Sequence, residues 1–335
     1  MSRLKHIKIS NFKTNSGKTS ELSLSYQTFG IDLGKAPIVL VIHALTGNST
    51  VIGPNGWWND LIGEDKCIDT STYTILAFNI PGNGFDTSAT DLIDNYKDYN
   101  ARDIAKIFAL GIEELGIDSL FSVIGGSVGG GIAWELAALK PNLIKNLIPI
   151  ATDWKSTDWL IANCHIQDAI LNNSRKPLED ARMHAMTLYR TPESFTEKFE
   201  RSKRNSNLFN VESWLNHHGK RLNDRFILSA YKMMNHILRT IDITEGRGNF
   251  IEVARQISSN IHIVTINSDL FFKPEENWSA FVDLKGVKNN VAIHEIKSIH
   301  GHDAFLIEFD QLARFLNPIF KVNSSTIITK SKCVA

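Results

Sequence analysis

The clearest pattern in the chain is a series of short, unbroken apolar runs separated by turns. They are "APIVLVIH" (Ala36 to His43), "TYTILAFNI" (Thr72 to Ile80), "LFSVIG" (Leu120 to Gly125) and "LIKNLIPIA" (Leu143 to Ala151). Their β-branched residues favour strands, and apolarity at consecutive rather than alternate positions predicts strands covered on both faces, as in a parallel sheet. Between the second and third runs, "ARDIAKIFALGIEELG" places Ile104, Ile107, Phe108, Ile112 and Leu115 at helical spacing. Strand, helix, strand alternation of this kind predicts a doubly wound α/β domain.

From about Thr152 to Arg255 the strand pattern stops, charge rises, and "PLEDARMHAMTLYR" and "DRFILSAYKMMNHILRTIDI" read as helices. Strands resume with "IHIVTINSD" (Ile261 to Asp269) and "NVAIHEI" (Asn290 to Ile296), followed by a last helix from Ala304 to about Phe315. The expected organisation is therefore an α/β core formed by residues 1–151 and 256–320, bracketing a helical cap of residues 152–255. Residues 321–335 form a polar tail with no expected role.

Composition narrows the partners. The 335 residues include 36 basic and 36 acidic side chains, so the formal charge is zero, and no block of like charges resembles a nucleic-acid-binding arm. No apolar stretch approaches the roughly 18 residues of a membrane span, and the N-terminus lacks the pattern of a secretory signal, so a soluble cytoplasmic protein acting on small molecules is expected. Cys67, Cys164 and Cys333 are far apart and show no metal-ligand spacing, which predicts unpaired thiols and no metal site.

One of the strands leads directly into the candidate chemistry. In "LFSVIGGSVGGGIAWELAALKP", Gly125, Ser127 and Gly129 satisfy G-x-S-x-G between a strand and a helix. Such a turn projects the serine hydroxyl at a helix N-terminus, where free backbone N–H groups face a developing oxyanion. A dinucleotide-binding loop is disfavoured, because "GGSVGGG" is out of register with G-x-G-x-x-G. A neutral serine needs a base and the base an orienting acid. Asp269 follows the strand "IHIVTINS", and His302 in "IHGHDAFL" lies between the last strand and the last helix, so both fall at the sheet edge that carries the serine. Asp269 alternatively reads as a turn cap, and His300 is the rival to His302. The second oxyanion donor is expected in "HALTGNST" after the first core strand, which gives the backbone N–H groups of Leu45 and Val128 as the pair. His43 in that loop reads as structural.

Several segments together resemble one family, the homoserine O-acetyltransferases of the α/β-hydrolase superfamily. They are "VIHALTGNS", "GWWNDLIGEDKCIDTSTY", "GGSVGG", "ARMHAMTLYRTPESF", "FNVESWLNHHGKRLNDRF", "SDLFFKPEE" and "GHDAFL", in family order and covering most of Leu40 to Leu306. The resemblance implies an α/β-hydrolase fold with a helical cap, and a cytoplasmic homodimer of methionine biosynthesis. It implies that Ser127 carries the acetyl group from acetyl-CoA to the hydroxyl of homoserine, with His302 as base and Asp269 as its carboxylate, and without a permanently bound cofactor. It further implies that Arg182 binds the acceptor's carboxylate and Asp303 its amino group. Two positions depart from the family pattern: "NIPGNGFDTSATD" is a compact loop where the family carries a longer one, and Val128 stands where methionine is usual. The compact loop looks more like that of a general hydrolase, so a carboxylesterase or thioesterase using water as acceptor is the alternative. A non-catalytic binding protein on the same fold is disfavoured, because all three triad residues are present.

Overall fold

The computed structural model describes residues 3–85 and 92–321. Its centre is an eight-stranded sheet: β1 Lys5–Lys13, β2 Thr19–Gly30, β3 Ile38–Ile42, β4 Thr74–Phe78, β5 Leu120–Gly126, β6 Ile144–Ile150, β7 Asn260–Ile266 and β8 Val291–Ile296. The spatial order is β1-β2-β4-β3-β5-β6-β7-β8. Pairing is antiparallel within β1/β2 and β2/β4 and parallel from β4 onward, so the six strands from β3 to β8 point their C-terminal ends to one edge. β3 and β4 are buried at every position, as their continuous apolarity requires of strands with helices on both sides.

Among the described residues ten α-helices follow in chain order: α1 Ala101–Glu114, α2 Val128–Leu139, α3 Asp158–Asn173, α4 Pro177–Tyr189, α5 Pro192–Phe199, α6 Asn210–Asn223, α7 Leu228–Arg239, α8 Phe250–Gln256, α9 Pro274–Lys285 and α10 Phe309–Phe320. In α1 the predicted apolar face is in place, with Ile104, Ile107, Phe108 and Ile112 buried, and a capping box between Asn100 and Asp103 starts the helix. α2 is buried almost all round and carries one acid, Glu135, held by Arg102 (3.2 Å) and Arg247 (2.9 Å). That triad ties α1 and α2 to the segment returning from the helices α3 to α7, because Arg102 also donates to the Asp242 carbonyl (3.0 Å).

Three sequence expectations change. The N-terminal strands β1 and β2 had not been anticipated. β1 leaves six of its nine positions exposed, so it lacks the dense apolar signal of the inner strands. The expected helix from Ala304 is a short 3-10 turn at Gly301–Leu306 followed by α10, which starts at Phe309 and runs to Phe320. Gly301, at φ 64°, and the pairing of His302 with Asp269 hold the chain in a tight turn there. Finally, strands do not vanish between 152 and 255: Lys203–Asn205 and Leu208–Phe209 form a small antiparallel pair. Cys67 and Cys164 are buried free thiols whose pKa burial pushes up to about 11 and about 12, while Cys333 and all but the first residue of the expected tail lie outside the described residues. Among the described residues no helix is long and apolar enough to cross a membrane, and no group of His, Cys, Asp and Glu is arranged to hold a metal ion.

Candidate active site

Ser127 occupies the turn between β5 and α2 with φ 58° and ψ −129°. A non-glycine residue in that region costs about 1–3 kcal/mol, which the surrounding packing must offset. The flanking glycines are a steric necessity. A Cβ on Gly125 would lie 2.6 Å from the backbone of Gly129, and one on Gly129 would lie 2.3 Å from the Ile42 carbonyl oxygen and 2.7 Å from that of His43. The first turn of α2 therefore rests directly on the end of β3, beside the loop that follows it. The N–H groups of Leu45, in that loop, and Val128, at the start of α2, have no acceptor among the described residues. Both are free to meet an oxyanion.

That loop is fixed from below. His43 Nδ1 donates to the Ala44 carbonyl (2.8 Å) and its Nε2 accepts the Ile80 N–H (2.9 Å), which assigns the tautomer. Burial lowers its pKa to about 4, so it is a neutral structural link between the loops after β3 and β4. The compact loop begins at Pro81, and its residues 86–91 lie outside the described residues. Helix α7 packs closely on the described part, for a Cβ on Gly82 would lie 2.1 Å from Met233 Sδ.

Asp269 follows β7 and is buried, with every carboxylate contact directed inward. Its Oδ1 accepts the N–H groups of Phe271 (2.7 Å) and Phe272 (2.9 Å), and its Oδ2 accepts from His302 Nδ1 at 2.7 Å. The His302 ring is enclosed by Tyr189, Phe271, Phe272 and Phe305, with ring centroids 5.3 to 5.7 Å away. Phe305 also closes on the elbow, since a Cβ on Gly126 would lie 2.5 Å from its ring. Ser127, Asp269 and His302 thus share one edge of the sheet. Among the described residues no hydrogen bond joins Ser127 Oγ to His302 Nε2; such bonds are often long until substrate closes the site. The rival histidine is engaged elsewhere: His300 Nδ1 lies 3.3 Å from Arg190 Nη2 and 3.4 Å from Ser194 Oγ. A second buried carboxyl at this edge, Asp153, accepts the Trp154 N–H (2.7 Å) and makes no bond to His302. Burial pushes its pKa up to about 7.

Over this edge lie charges of both signs. Arg182, on α4, places its guanidinium 5.6 Å from the Tyr189 ring centroid, and Tyr189 packs on His302 (5.5 Å). Asp303 follows the histidine directly and pairs with Arg190 at 3.7 Å. Burial raises its pKa, while the positive fields of Arg182, His302 and Arg190 oppose the rise. Three contributors were not singled out from sequence. Tyr189 and Arg190 are the "YR" of "TLYR", and Arg225 is in "DRF"; Arg225 Nη1 donates to the Thr46 carbonyl (3.0 Å) of the loop that carries Leu45. Their appearance in motif segments was the available signal.

The sheet order, the strained serine between β5 and α2, and the buried acid–histidine pair define a protein of the α/β-hydrolase fold. A family model described as alpha/beta hydrolase fold matches residues 37–207. A homoserine O-acetyltransferase of Methanococcus vannielii is 34% identical, over 90% of this chain and 69% of that relative. The chain belongs to the homoserine O-acetyltransferase family. Among solved structures, a homoserine O-acetyltransferase from Bacillus anthracis superposes with a TM-score of 0.86 at 18% identity, over 96% of this chain and 98% of that one. Esterase E22 superposes with a TM-score of 0.85 at 17% identity, over 96% and 100%. At that identity the two superpositions establish the common fold alone.

Proposed function

We propose that the protein transfers an acetyl group from acetyl-CoA to the side-chain hydroxyl of L-homoserine through an acetyl-Ser127 intermediate. The observation that carries the reading is the coincidence, at one sheet edge, of the His302–Asp269 pair with the opposite charges of Arg182 and Asp303. The first supplies acyl-transfer chemistry, and the second matches the carboxylate and ammonium of an amino acid. His302 Nε2 takes the Ser127 proton as Oγ attacks the thioester carbonyl. The oxyanion is stabilised by the N–H groups of Leu45 and Val128. The intermediate collapses, the C–S bond breaks, and His302 returns the proton to the departing CoA sulfur. The acceptor hydroxyl then gives its proton to His302, attacks the acetyl carbonyl, and leaves as the ester while Ser127 recovers the proton.

In this reading residues 152–255 act as the cap, holding the acceptor and limiting water at the acyl-enzyme. No permanently bound cofactor is invoked, and acetyl-CoA enters as co-substrate. The family resemblance extends the proposal to a homodimer working in the cytoplasm. The test supplies acetyl-CoA and homoserine together and identifies the products. O-acetylhomoserine from the wild type, and its loss by at least about a thousandfold in Ser127→Ala, is expected. Acetate as the sole product would make water the acceptor and the protein an esterase or thioesterase. Full transfer by Ser127→Ala would remove the covalent intermediate.

A further inference from the structure

The arginines above the sheet edge differ in one respect. Arg190 and Arg239 each have an acidic partner, Asp303 and Asp168, both at 3.7 Å. Arg182 and Arg225 have none among the described residues. Arg182 instead lies 5.6 Å over the Tyr189 ring, and Arg225 spends one N–H on the Thr46 carbonyl at 3.0 Å. A guanidinium carries five N–H donors, so a single carbonyl leaves most of them unspent. The two arginines also act on each other: burial, then the charges of Arg182 and Arg221, hold Arg225 below its ordinary pKa. Burial together with the fields of Arg182, His217, Arg221 and Lys198 lowers the pKa of neighbouring His218 to about 4. Asp303 lies in the field of Arg182 but is already paired with Arg190, so the two cations keep N–H donors free for an external anion.

We propose that Arg225 is the second cationic arm of the acceptor site, binding the amino acid's carboxylate together with Arg182 and so selecting acceptors that carry one. The proposal rests on the transfer reading above. Arg225 arrives from the turn between α6 and α7, and its bond to Thr46 fixes the guanidinium against the loop that offers the Leu45 N–H. The carboxylate would be held on that side and the ammonium at Asp303. The side-chain hydroxyl, several bonds from both, is left to reach Ser127 and His302. A basic site of this kind could equally attract a CoA phosphate, and the experiment separates the two sources.

The full-length enzyme and its Arg225→Met and Arg225→Lys variants are assayed with acetyl-CoA against homoserine and against homoserine amide, which lacks the negative charge. The quantity read is the ratio of kcat/KM for homoserine to that for the amide, measured on one preparation so that the folded fraction cancels. Arg225→Met should lower the ratio about tenfold, the loss expected for one charge-assisted contact in a partly exposed site, and mainly through the KM for homoserine. Arg225→Lys should recover part of it, since a point charge remains without the planar fork. An unchanged ratio, with both acceptors falling together, would reduce Arg225 to a support for the Thr46 loop and overturn the proposal. A rise in the KM for acetyl-CoA with that for homoserine unchanged would assign the site to a CoA phosphate and overturn it as well. A wild type that forms only acetate with either acceptor would instead defeat the transfer reading itself.

Discussion

Replacing Asp269 by Asn isolates the orienting carboxylate with almost no change in shape. In the native geometry Oδ1 faces two donors, the N–H groups of Phe271 and Phe272, and Oδ2 faces a third, His302 Nδ1 at 2.7 Å. An amide has one acceptor oxygen for these three donors. If its oxygen stays with the two backbone groups, as their number favours, its NH2 points at His302 and demands that Nδ1 become an acceptor. The ring proton then moves to Nε2, the atom that must accept from Ser127. If the amide turns the other way, its NH2 opposes two buried backbone donors, at a cost of about 2–4 kcal/mol for the lost and unsatisfied groups. Either orientation damages the site, and the first removes the base without unfolding the protein. Serine-nucleophile triads lose about 10⁴ in kcat on this exchange, equivalent to about 5.5 kcal/mol of transition-state stabilisation. Burst kinetics with p-nitrophenyl acetate, read beside steady-state transfer to homoserine, should show acylation and transfer slowed by at least about a thousandfold, with a folded protein by circular dichroism. A variant retaining more than roughly a tenth of wild-type acylation would refute the reasoning, because no triad tolerates the wrong tautomer so well. Asp153, a second buried carboxyl at that edge, would then be the residue to examine next.

Two further outcomes follow from the same geometry. Gly129→Ala should lose most acylation activity and at least about 2 kcal/mol of stability, because its Cβ would fall 2.3 Å from the Ile42 carbonyl and force α2 away from β3; a variant with wild-type burst rate and denaturation midpoint would contradict this. His43 is held neutral in the fold at a pKa of about 4 against an ordinary 6.5. The unfolded chain therefore binds more protons between those values, and stability should climb as pH rises from about 4 to about 6.5, by up to about 3 kcal/mol. Urea denaturation across that window should give a steeper rise for the wild type than for His43→Asn, and parallel curves would show that His43 does not contribute.

What the sequence made legible was whatever is decided locally. The inner strands β3 to β6 declare themselves by unbroken apolar runs, because both faces are covered. The elbow declares itself because strand, glycine, serine, glycine and helix must be contiguous to make the turn. Asp269 and His302 could be placed because each sits at the end of a strand whose edge was already known. Chain order favoured His302 over His300, two positions away, and it is the His302 ring that meets Asp269. The hairpin β1/β2 escaped notice because its exposed positions are polar and break up the apolar run that marks the inner strands. Arg225 and Arg190 illustrate the wider limit. Their contacts reach residues 179 and 110 positions away, and beyond their place in the motif segments nothing local marks them out from ordinary surface charges.

One fold can carry both an acetyltransferase and an esterase because of where the two reactions differ. The nucleophile, base, acid and oxyanion donors serve either one, and the first half of the reaction is shared. The outcome is set by what attacks the acyl-enzyme. A hydroxy amino acid at about 1 mM competes with water at roughly 50 M, a disadvantage near 5 × 10⁴; a hydroxyl held in register can overcome it, since effective molarities for oriented groups reach about 10⁵–10⁸ M. Holding it requires at least two anchors of opposite sign, because a single ionic contact leaves the short side chain free to swing. In the proposed reading Arg182 and Arg225 on one side and Asp303 on the other would meet that requirement, and none of the three takes part in forming the acyl-enzyme. Selectivity for transfer on this fold is accordingly a property of residues brought in above the sheet edge, with the triad beneath them left unaltered.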